Sequence, residues 1–385
     1  MGSLPSAMPL INLFSGGLRD LTTRPRGNVP LLDVLRSLAI LLVFTSHFAG
    51  EFHASAKVVS FPFVYYGWTG VDLFFVLSGF LIGSQLWKEV GQTGSVRVRA
   101  FLLRRGLRIW PLYFSFILLL LAEVAFLGRT PSGLLADATF LSNYFHCQVG
   151  GSWSLSTEEQ FYILAPLSIF FLTRKLKLRN LWVIPAAGLS MLIVSRALTI
   201  HFSALPYRAL EQKLYFPIHT HADGLAVGLF LAWITVTHAD FLKSARNRLA
   251  LASLMIVCGA VLYKLDSLLF DYTSLGLIFG AAVCYGTSAL SGTPAFVRWN
   301  GFYLLSRLSY GLYLNHFGML PHLYSLFGKW SVSGGTPAFW ICYAASLLIC
   351  LIVAGVTFCL IEYPFLALRS RWLSRAKRPK LALAG

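Results

Sequence analysis

Apolar segments of about twenty residues recur along almost the whole of this 385-residue chain. A helix of that length crosses the hydrocarbon core of a bilayer, where every backbone polar group must be bonded within the protein. Hydrophobic residues make up 56% of the chain and charged residues only 12%, which is more apolar than water-soluble domains are. We therefore predict an all-α integral membrane protein, a bundle of about ten transmembrane helices. The predicted spans are residues 31–50, 67–87, 109–128, 153–172, 181–200, 217–236, 249–263, 273–290, 302–320 and 338–361.

The basic residues orient these spans. When the N-terminus is placed in the cytoplasm, the inner segments hold 23 of the 32 Lys and Arg residues and the outer loops hold 6. Cytoplasmic loops carry this excess, so both termini are predicted to be cytoplasmic. The same distribution explains the net charge of +17 without a nucleic-acid partner. We divide the chain into a cytoplasmic N-terminal segment (1–30), one transmembrane domain (31–366) and a basic cytoplasmic tail (367–385).

Two ionisable residues lie in the first span. Arg36 precedes His47 by eleven residues, which in a helix is about three turns, so both side chains point to nearly the same side, about 16 Å apart along the axis. Ionisable groups within a membrane are costly and usually face a protein interior or a wet cavity. The first span is therefore predicted to carry a cation toward its inner end and a titratable imidazole toward its outer end.

Three arginines precede the third predicted span. Arg104 and Arg108 are four residues apart, and Arg105 and Arg108 are three apart, so on a helix they share a face. Guanidinium groups bind phosphates through two parallel hydrogen bonds, and this face would suit a ligand with several phosphates. Such a cluster at a membrane boundary can equally be a topology signal, and the sequence leaves both interpretations open.

A carboxylate lies at a depth similar to that of His47. Glu158 is near the outer end of the fourth span, and an acid beside an imidazole fixes its tautomer and raises its basicity, as general-base catalysis requires. We therefore pair His47 with Glu158 as candidate catalytic residues. The alternative is that each residue caps or packs the end of its own helix in interfacial water. The neighbouring Glu159 is predicted to face solvent.

Further polar residues have less specific roles. Asp72, in the second span, could bridge to a partner, and the nearby Ser78-Gly79 is predicted to be a point of close helix packing. His316, in the ninth span, is predicted to hydrogen-bond between helices. His219 and His221 are only two residues apart at the entrance of a span, and we predict no metal site.

Six short motifs, taken in order, resemble those of the acyltransferase-3 family of integral membrane O-acyltransferases. The resemblance covers residues from about 30 to 366, and it implies ten core helices without a fused extracellular domain. Two positions differ from the family pattern, Asn315 in place of a common aromatic residue and His221 in place of a basic one, and they concern the acceptor more than the reaction. The motifs are Leu32–Arg36 with His47, Gly70–Gly79, Arg105-x-x-Arg108 with Pro111, Trp153–Leu155 with Glu158 and Phe161-Tyr162, Ser309-Tyr310 to His316, and Ile361–Pro364.

The resemblance also implies a function and a set of roles. Members of the family move acyl groups from cytosolic acyl-CoA to acceptors outside the membrane, often sugars. We therefore expect an O-acetyltransferase of the bacterial cytoplasmic (inner) membrane, with a glycan-type hydroxyl acceptor and no tightly bound cofactor, because acetyl-CoA is a substrate. His47 takes the position of the catalytic histidine, as general base or acyl acceptor, with Glu158 beside it. Arg36, Arg104, Arg105 and Arg108 are implied to bind acyl-CoA, and Asp33, Asp72, Trp153, Tyr310 and His316 to support the site.

A transporter or flippase of a lipid-linked or sugar substrate is the alternative from a different class. The same polar residues would then line a permeation path. Repeated halves are common in transporters, and no internal repeat is visible in this chain. Release of CoA from acetyl-CoA on addition of an acceptor would distinguish the enzyme from the transporter.

Overall fold

The computed structural model describes residues 10–25, 27–126, 128, 132–286 and 294–376, and every regular element within them is helical. Twelve helices of thirteen residues or more form the bundle, and a π-helical turn, Phe358–Glu362, joins the last two. The predicted all-α architecture is confirmed. The helices are α1 (Leu10–Thr22), α2 (Pro30–Glu51), α3 (Gly70–Thr93), α4 (Val98–Phe126), α5 (Ser152–Leu172), α6 (Val183–Phe202), α7 (Asp223–Thr237), α8 (Ala245–Leu265), α9 (Ser267–Gly286), α10 (Asn300–Ser333), α11 (Gly335–Thr357) and α12 (Tyr363–Ala376).

Each of the ten predicted spans overlaps one of the helices α2 to α11. Seven of the described helices are both long and apolar enough to cross a membrane, so the chain is an integral membrane protein. The helices α5, α7 and α10 fall outside that set: α7 has only 15 residues, and the other two carry many polar side chains. The count of ten crossings stays a prediction. Residues 287–290, the end of the eighth predicted span, lie outside the described residues.

One large difference from the predicted boundaries is at the start of α4. This helix begins at Val98 rather than at residue 109, so Arg104, Arg105 and Arg108 lie within it and not before it. The prediction followed hydropathy, which drops where arginines cluster. Arginine is nevertheless a good helix former, and the helix continues through the basic stretch. The shared face expected for these three residues therefore exists.

The N-terminal segment contains a helix that packs against the far end of the chain. In α1, Gly16 lies against the ring of Tyr363 and Gly17 against Cys359, while Asp20 forms an ion pair with Arg307 of α10. The two ends of the described chain therefore lie on the same side of the bundle. An even number of crossings requires this arrangement, whereas the cytoplasmic location of both ends stays a prediction.

Small residues bring α3 and α7 into close contact. A Cβ atom added to Gly79 would collide with the carbonyl oxygen of Leu225, and one added to Gly228 would collide with that of Val76. Only glycine allows two helix backbones to approach this closely. The predicted packing point at Gly79 is confirmed, and the contact holds in place the helix that forms one wall of the cavity described below.

The two ends of α5 offer a direct test of orientation. Cys147 lies before this helix and Lys175 lies after it, separated by about 30 Å of helix. If both termini are cytoplasmic, an impermeant thiol reagent added outside should label Cys147. A cysteine at Lys175, an exposed position, should react only from inside. Because burial raises the pKa of the Cys147 thiol, the labelling should be carried out at alkaline pH.

The control for this experiment is Cys147→Ser, which measures the background from the other five cysteines. Lys175→Cys is then introduced into that variant. Labelling of the new cysteine from outside would reverse the predicted orientation of the whole bundle.

Candidate active site

A cavity of about 520 Å³ lies between α2, α3, α4, α5 and α10, and α12 also contributes to its wall. Among the described residues, its charged lining consists of five arginines and one carboxylate, that of Glu158. So much positive charge within a helix bundle is costly unless an anion compensates it. The cavity therefore suits a ligand with several negative charges. Its arginines are Arg36, Arg104, Arg105, Arg108 and Arg369.

The arginines of the cavity differ in whether they already form hydrogen bonds or ion pairs with other side chains. Arg105 donates a hydrogen bond to Gln85 (2.7 Å), and Arg104 lies 3.7 Å from the carboxylate of Glu89. Within the described part of the chain, neither Arg36 nor Arg108 forms a hydrogen bond or an ion pair. The same holds for Arg369, so these three guanidinium groups are the ones most available to a bound anion.

Arg369 is a cavity residue that the sequence analysis did not identify. Its basic surroundings after residue 367 indicated only a cytoplasmic tail. In the structure α12 packs against α4, which brings the Arg369 side chain to the arginines of that helix. The π-helical turn before α12 is a local signal that could have drawn attention to this region, because such turns often occur at functional sites.

Glu158 lies in the wall of this cavity and does not hydrogen-bond to His47. Its carboxylate accepts a hydrogen bond from Tyr162 (2.7 Å), whose hydroxyl also lies 2.8 Å from that of Ser78. Arg36 lines the same cavity. Similar depth in the membrane does not ensure contact, since the helix face decides the partner. The catalytic pairing of His47 with Glu158 therefore stays a prediction without a direct contact.

The prediction that Glu159 faces solvent is wrong. Its side chain is buried, with 7% of the residue exposed, and one carboxylate oxygen accepts a hydrogen bond from the indole of Trp110 (3.0 Å). The other oxygen has no partner in the described chain. The position near a helix end suggested exposure, but α4 packs across this face of α5 and covers it.

The partner of His47 is a second histidine. The Nδ1 atom of His47 lies 2.9 Å from the Nε2 atom of His316, so the predicted interhelical hydrogen bond of His316 joins α10 to α2. The ring of Phe317 packs against His47 with a centroid distance of 4.2 Å. His316 is fully buried and His47 is half-buried. The two imidazoles thus form a hydrogen-bonded pair, of which only His47 is partly exposed.

The imidazole pair lies just beyond one end of the arginine-lined cavity. Tyr313 and Ser154 line that end, and their hydroxyl oxygens are 2.6 Å apart. The ring of Tyr313 is in turn 5.8 Å from that of His316, one turn further along α10. His47 is not among the described residues that line the cavity. The Tyr313–Ser154 contact therefore separates the cationic cavity from the imidazoles.

A second buried polar cluster lies outside this cavity. Arg196 is fully buried and forms two hydrogen bonds to the carboxylate of Asp223 (2.6 and 2.8 Å). It also donates to the hydroxyl of Thr273 (2.8 Å), so it links α6, α7 and α9. Arg196 lies within the predicted span 181–200, and an arginine within an apolar span needs a partner. The sequence did not identify Asp223, because only the fold brings α6 and α7 together.

His221 and Asp72 form another buried pair in the same region. The Nε2 atom of His221 is 2.9 Å from a carboxylate oxygen of Asp72, and its Nδ1 atom is 2.6 Å from the carbonyl oxygen of Tyr215. Asp72 thus bridges α3 to the segment before α7, as the sequence suggested. In the described residues no three His, Cys, Asp or Glu side chains are grouped so that they could hold a metal ion.

The remaining predicted supporting residues fall into two groups. Tyr310 lines the cavity and donates a hydrogen bond to the carbonyl oxygen of Ile109 (2.8 Å). It therefore lies next to the arginines of α4. Asp33 accepts a hydrogen bond from Asn28 (2.6 Å), and Trp153 packs against Tyr215 with a centroid distance of 4.7 Å. Neither Asp33 nor Trp153 is a described lining residue of the cavity, and both hold neighbouring segments together.

Comparison with known proteins agrees with the motifs in the sequence. A family model described as an acyltransferase domain matches residues 29–355. The O-acetyltransferase OatA of Staphylococcus aureus (strain NCTC 8325 / PS 47) is 26% identical over 372 residues, which cover 87% of this chain and 57% of that protein. A putative O-acetyltransferase of Staphylococcus aureus strain COL is 24% identical over 371 residues, with 88% and 57% covered. The chain thus spans little more than half the length of these relatives. No solved structure matches it significantly.

Proposed function

The chain belongs to the acyltransferase-3 family, and on that premise we propose that it moves an acetyl group from acyl-CoA across the membrane to a hydroxyl group. The family resemblance noted in the sequence is confirmed by this match. The printed names of the relatives describe O-acetyltransferases, which supports an ester product. We place the protein in the cytoplasmic membrane of a bacterium, with a glycan-type acceptor on the outer side.

The observation that carries this proposal is the arginine-lined cavity that ends one helical turn from the His47–His316 pair. The nucleotide end of acyl-CoA carries several phosphate charges, and arginine binds phosphate with two parallel hydrogen bonds. Arg36 and Arg108 have no protein partner in the described chain and are the first candidates for these contacts. The pantetheine arm would extend toward Tyr313, since Arg36 and His47 are about 16 Å apart along α2.

Two chemical routes are open at His47. As a general base, the imidazole would take the proton of the acceptor hydroxyl while its oxygen attacks the thioester carbonyl. The carbon–sulfur bond then breaks and CoA leaves as the thiolate. As a nucleophile, the imidazole would attack the carbonyl first, release CoA and pass the acetyl group from nitrogen to the acceptor oxygen. Both routes require the thioester to pass the Tyr313–Ser154 contact.

The test uses purified protein in vesicles of known orientation, with radiolabelled acetyl-CoA on the side of the arginine cavity. A short oligosaccharide is supplied as acceptor on the opposite side. We expect free CoA to be released on the donor side and a base-labile acetyl ester to appear on the oligosaccharide. Movement of the oligosaccharide across the membrane without release of CoA would contradict the proposal and favour a transporter.

A further inference from the structure

The hydrogen bonds of His316 determine where its proton lies. Its Nδ1 atom is 2.9 Å from the backbone carbonyl oxygen of Leu312. A carbonyl oxygen only accepts hydrogen bonds, so Nδ1 must carry a proton. In a neutral imidazole the other nitrogen then has a free lone pair and acts as an acceptor. The Nε2 atom of a neutral His316 is therefore an acceptor.

The position of the proton on His316 determines the position of the proton on His47. The Nδ1 atom of His47 is 2.9 Å from the Nε2 atom of His316, and one of the two must donate. Because Nε2 of a neutral His316 accepts, Nδ1 of His47 donates and carries the proton. The remaining nitrogen of His47, Nε2, then holds the lone pair. A chain of two hydrogen bonds that starts at the Leu312 carbonyl thus selects one tautomer of His47.

We infer that His316 is the positioning residue of the proposed acyl transfer: it fixes the tautomer of His47 so that the Nε2 atom is the basic and nucleophilic nitrogen. This is the role that the sequence analysis gave to Glu158, whose hydrogen bond goes to Tyr162 instead. The packing of Phe317 against both imidazoles, with centroid distances of 4.2 and 4.4 Å, holds their rings in this orientation. The inference rests on the proposed function.

The fixed tautomer suits either route. In the first, Nε2 of His47 takes the hydroxyl proton, and the positive charge that forms is stabilised because Nδ1–H still donates to His316. In the second, Nε2 attacks the thioester carbonyl, and Nδ1 can release its proton to Nε2 of His316 as the nitrogen–acyl bond forms. The pair can store one proton, since two adjacent imidazolium ions in a buried site repel each other.

The test combines two variants of His316 with a control. His316→Phe keeps a flat ring but removes the acceptor, and His316→Gln restores a side-chain oxygen that can accept from His47. Thr45→Val is the matched control, because it removes a different interhelical hydrogen bond of α2, the one to Tyr343 (2.9 Å). Imidazole nitrogen NMR on protein with labelled histidine reads the tautomer directly, and His47→Gln identifies the signals of His47.

We expect wild-type His47 to show a protonated Nδ1 and an unprotonated Nε2, and His316→Phe to lose this tautomer. The turnover rate kcat of His316→Phe should fall by about 10- to 100-fold, as when a group that orients a histidine is removed, with the KM for acetyl-CoA within about twofold. His316→Gln should regain part of both the tautomer and the rate, and Thr45→Val should behave as wild type.

Wild-type protein with the proton on Nε2 of His47 would overturn the inference. An unchanged tautomer and rate in His316→Phe would overturn it as well. Because the NMR signals require no turnover, the tautomer can be assigned even if the protein transfers no acetyl group. Failure of the proposed function and failure of this inference are therefore distinguishable, and the wild-type spectrum is decisive even if a His316 variant does not fold.

Discussion

Replacement of His47 by alanine is expected to reduce acyl transfer by about 10²- to 10⁴-fold, the range for loss of a general base, or by more if His47 carries the acyl group. Binding of acyl-CoA should remain within about twofold of wild type, because the arginines that would hold its nucleotide end lie about 16 Å away along the same helix. The assay is single-turnover transfer from labelled acetyl-CoA to an acceptor, with donor binding measured separately.

Acid-quenched protein from the same assay distinguishes the two routes. Label retained on wild-type protein and absent from His47→Ala would indicate an acyl-enzyme, and no label on either would favour the general base. Thr45→Val again serves as the control for a changed buried side chain on α2. Full activity in His47→Ala would exclude both routes and remove His47 from the catalytic residues.

The second large effect is expected at the donor site. Arg105→Ala and Arg108→Ala should each weaken acyl-CoA binding by about 1.5–3 kcal/mol, the usual size of a charge-assisted hydrogen bond. This corresponds to roughly a 10- to 150-fold increase in Kd. Arg108 should have the larger effect, because it has no partner among the described residues, whereas Arg105 already donates to Gln85. Lysine at either position should restore binding only in part, since an ammonium group cannot form the two parallel hydrogen bonds of a guanidinium group.

Arg97 provides the matched control for this series. It lies immediately before the helix that carries Arg105 and Arg108 and forms an ion pair with Glu89 (2.7 Å), and its side chain is 74% exposed. Arg97→Ala removes the same charge but should leave the donor Kd nearly unchanged. Equal binding in Arg97→Ala, Arg105→Ala and Arg108→Ala would mean that the cluster serves only as a topology signal.

The helices and the arginine face could be predicted because both depend on local sequence. Each long apolar run formed a helix, and the spacing of Arg104, Arg105 and Arg108 directed all three side chains into one cavity. Hydropathy alone placed the start of α4 too late. It measures how apolar a segment is and not whether the segment is helical, and a basic stretch can remain helical. The spacing of Arg36 and His47 likewise located two parts of the site on one helix.

The rest of the site depends on contacts between distant segments. Arg369 reaches the cavity only because α12 packs against α4, and the basic composition of this segment indicated only a cytoplasmic tail. Glu158 and Glu159 are adjacent in sequence, yet one lines the cavity and the other binds Trp110. The pairing of Arg196 with Asp223 and of His47 with His316 required the relative rotation of helices, which no local pattern specifies.

The arginine-lined cavity also has a consequence for biogenesis. Its walls begin with Arg36 in α2 and end with Arg369 in α12, separated by most of the chain. Helices enter the membrane in the order in which the ribosome makes them, so a partly synthesised protein holds Arg36, Arg105 and Arg108 long before the last wall exists. The cavity is therefore completed late, and an unfinished chain in the membrane lacks part of the arginine lining that the proposed donor would need.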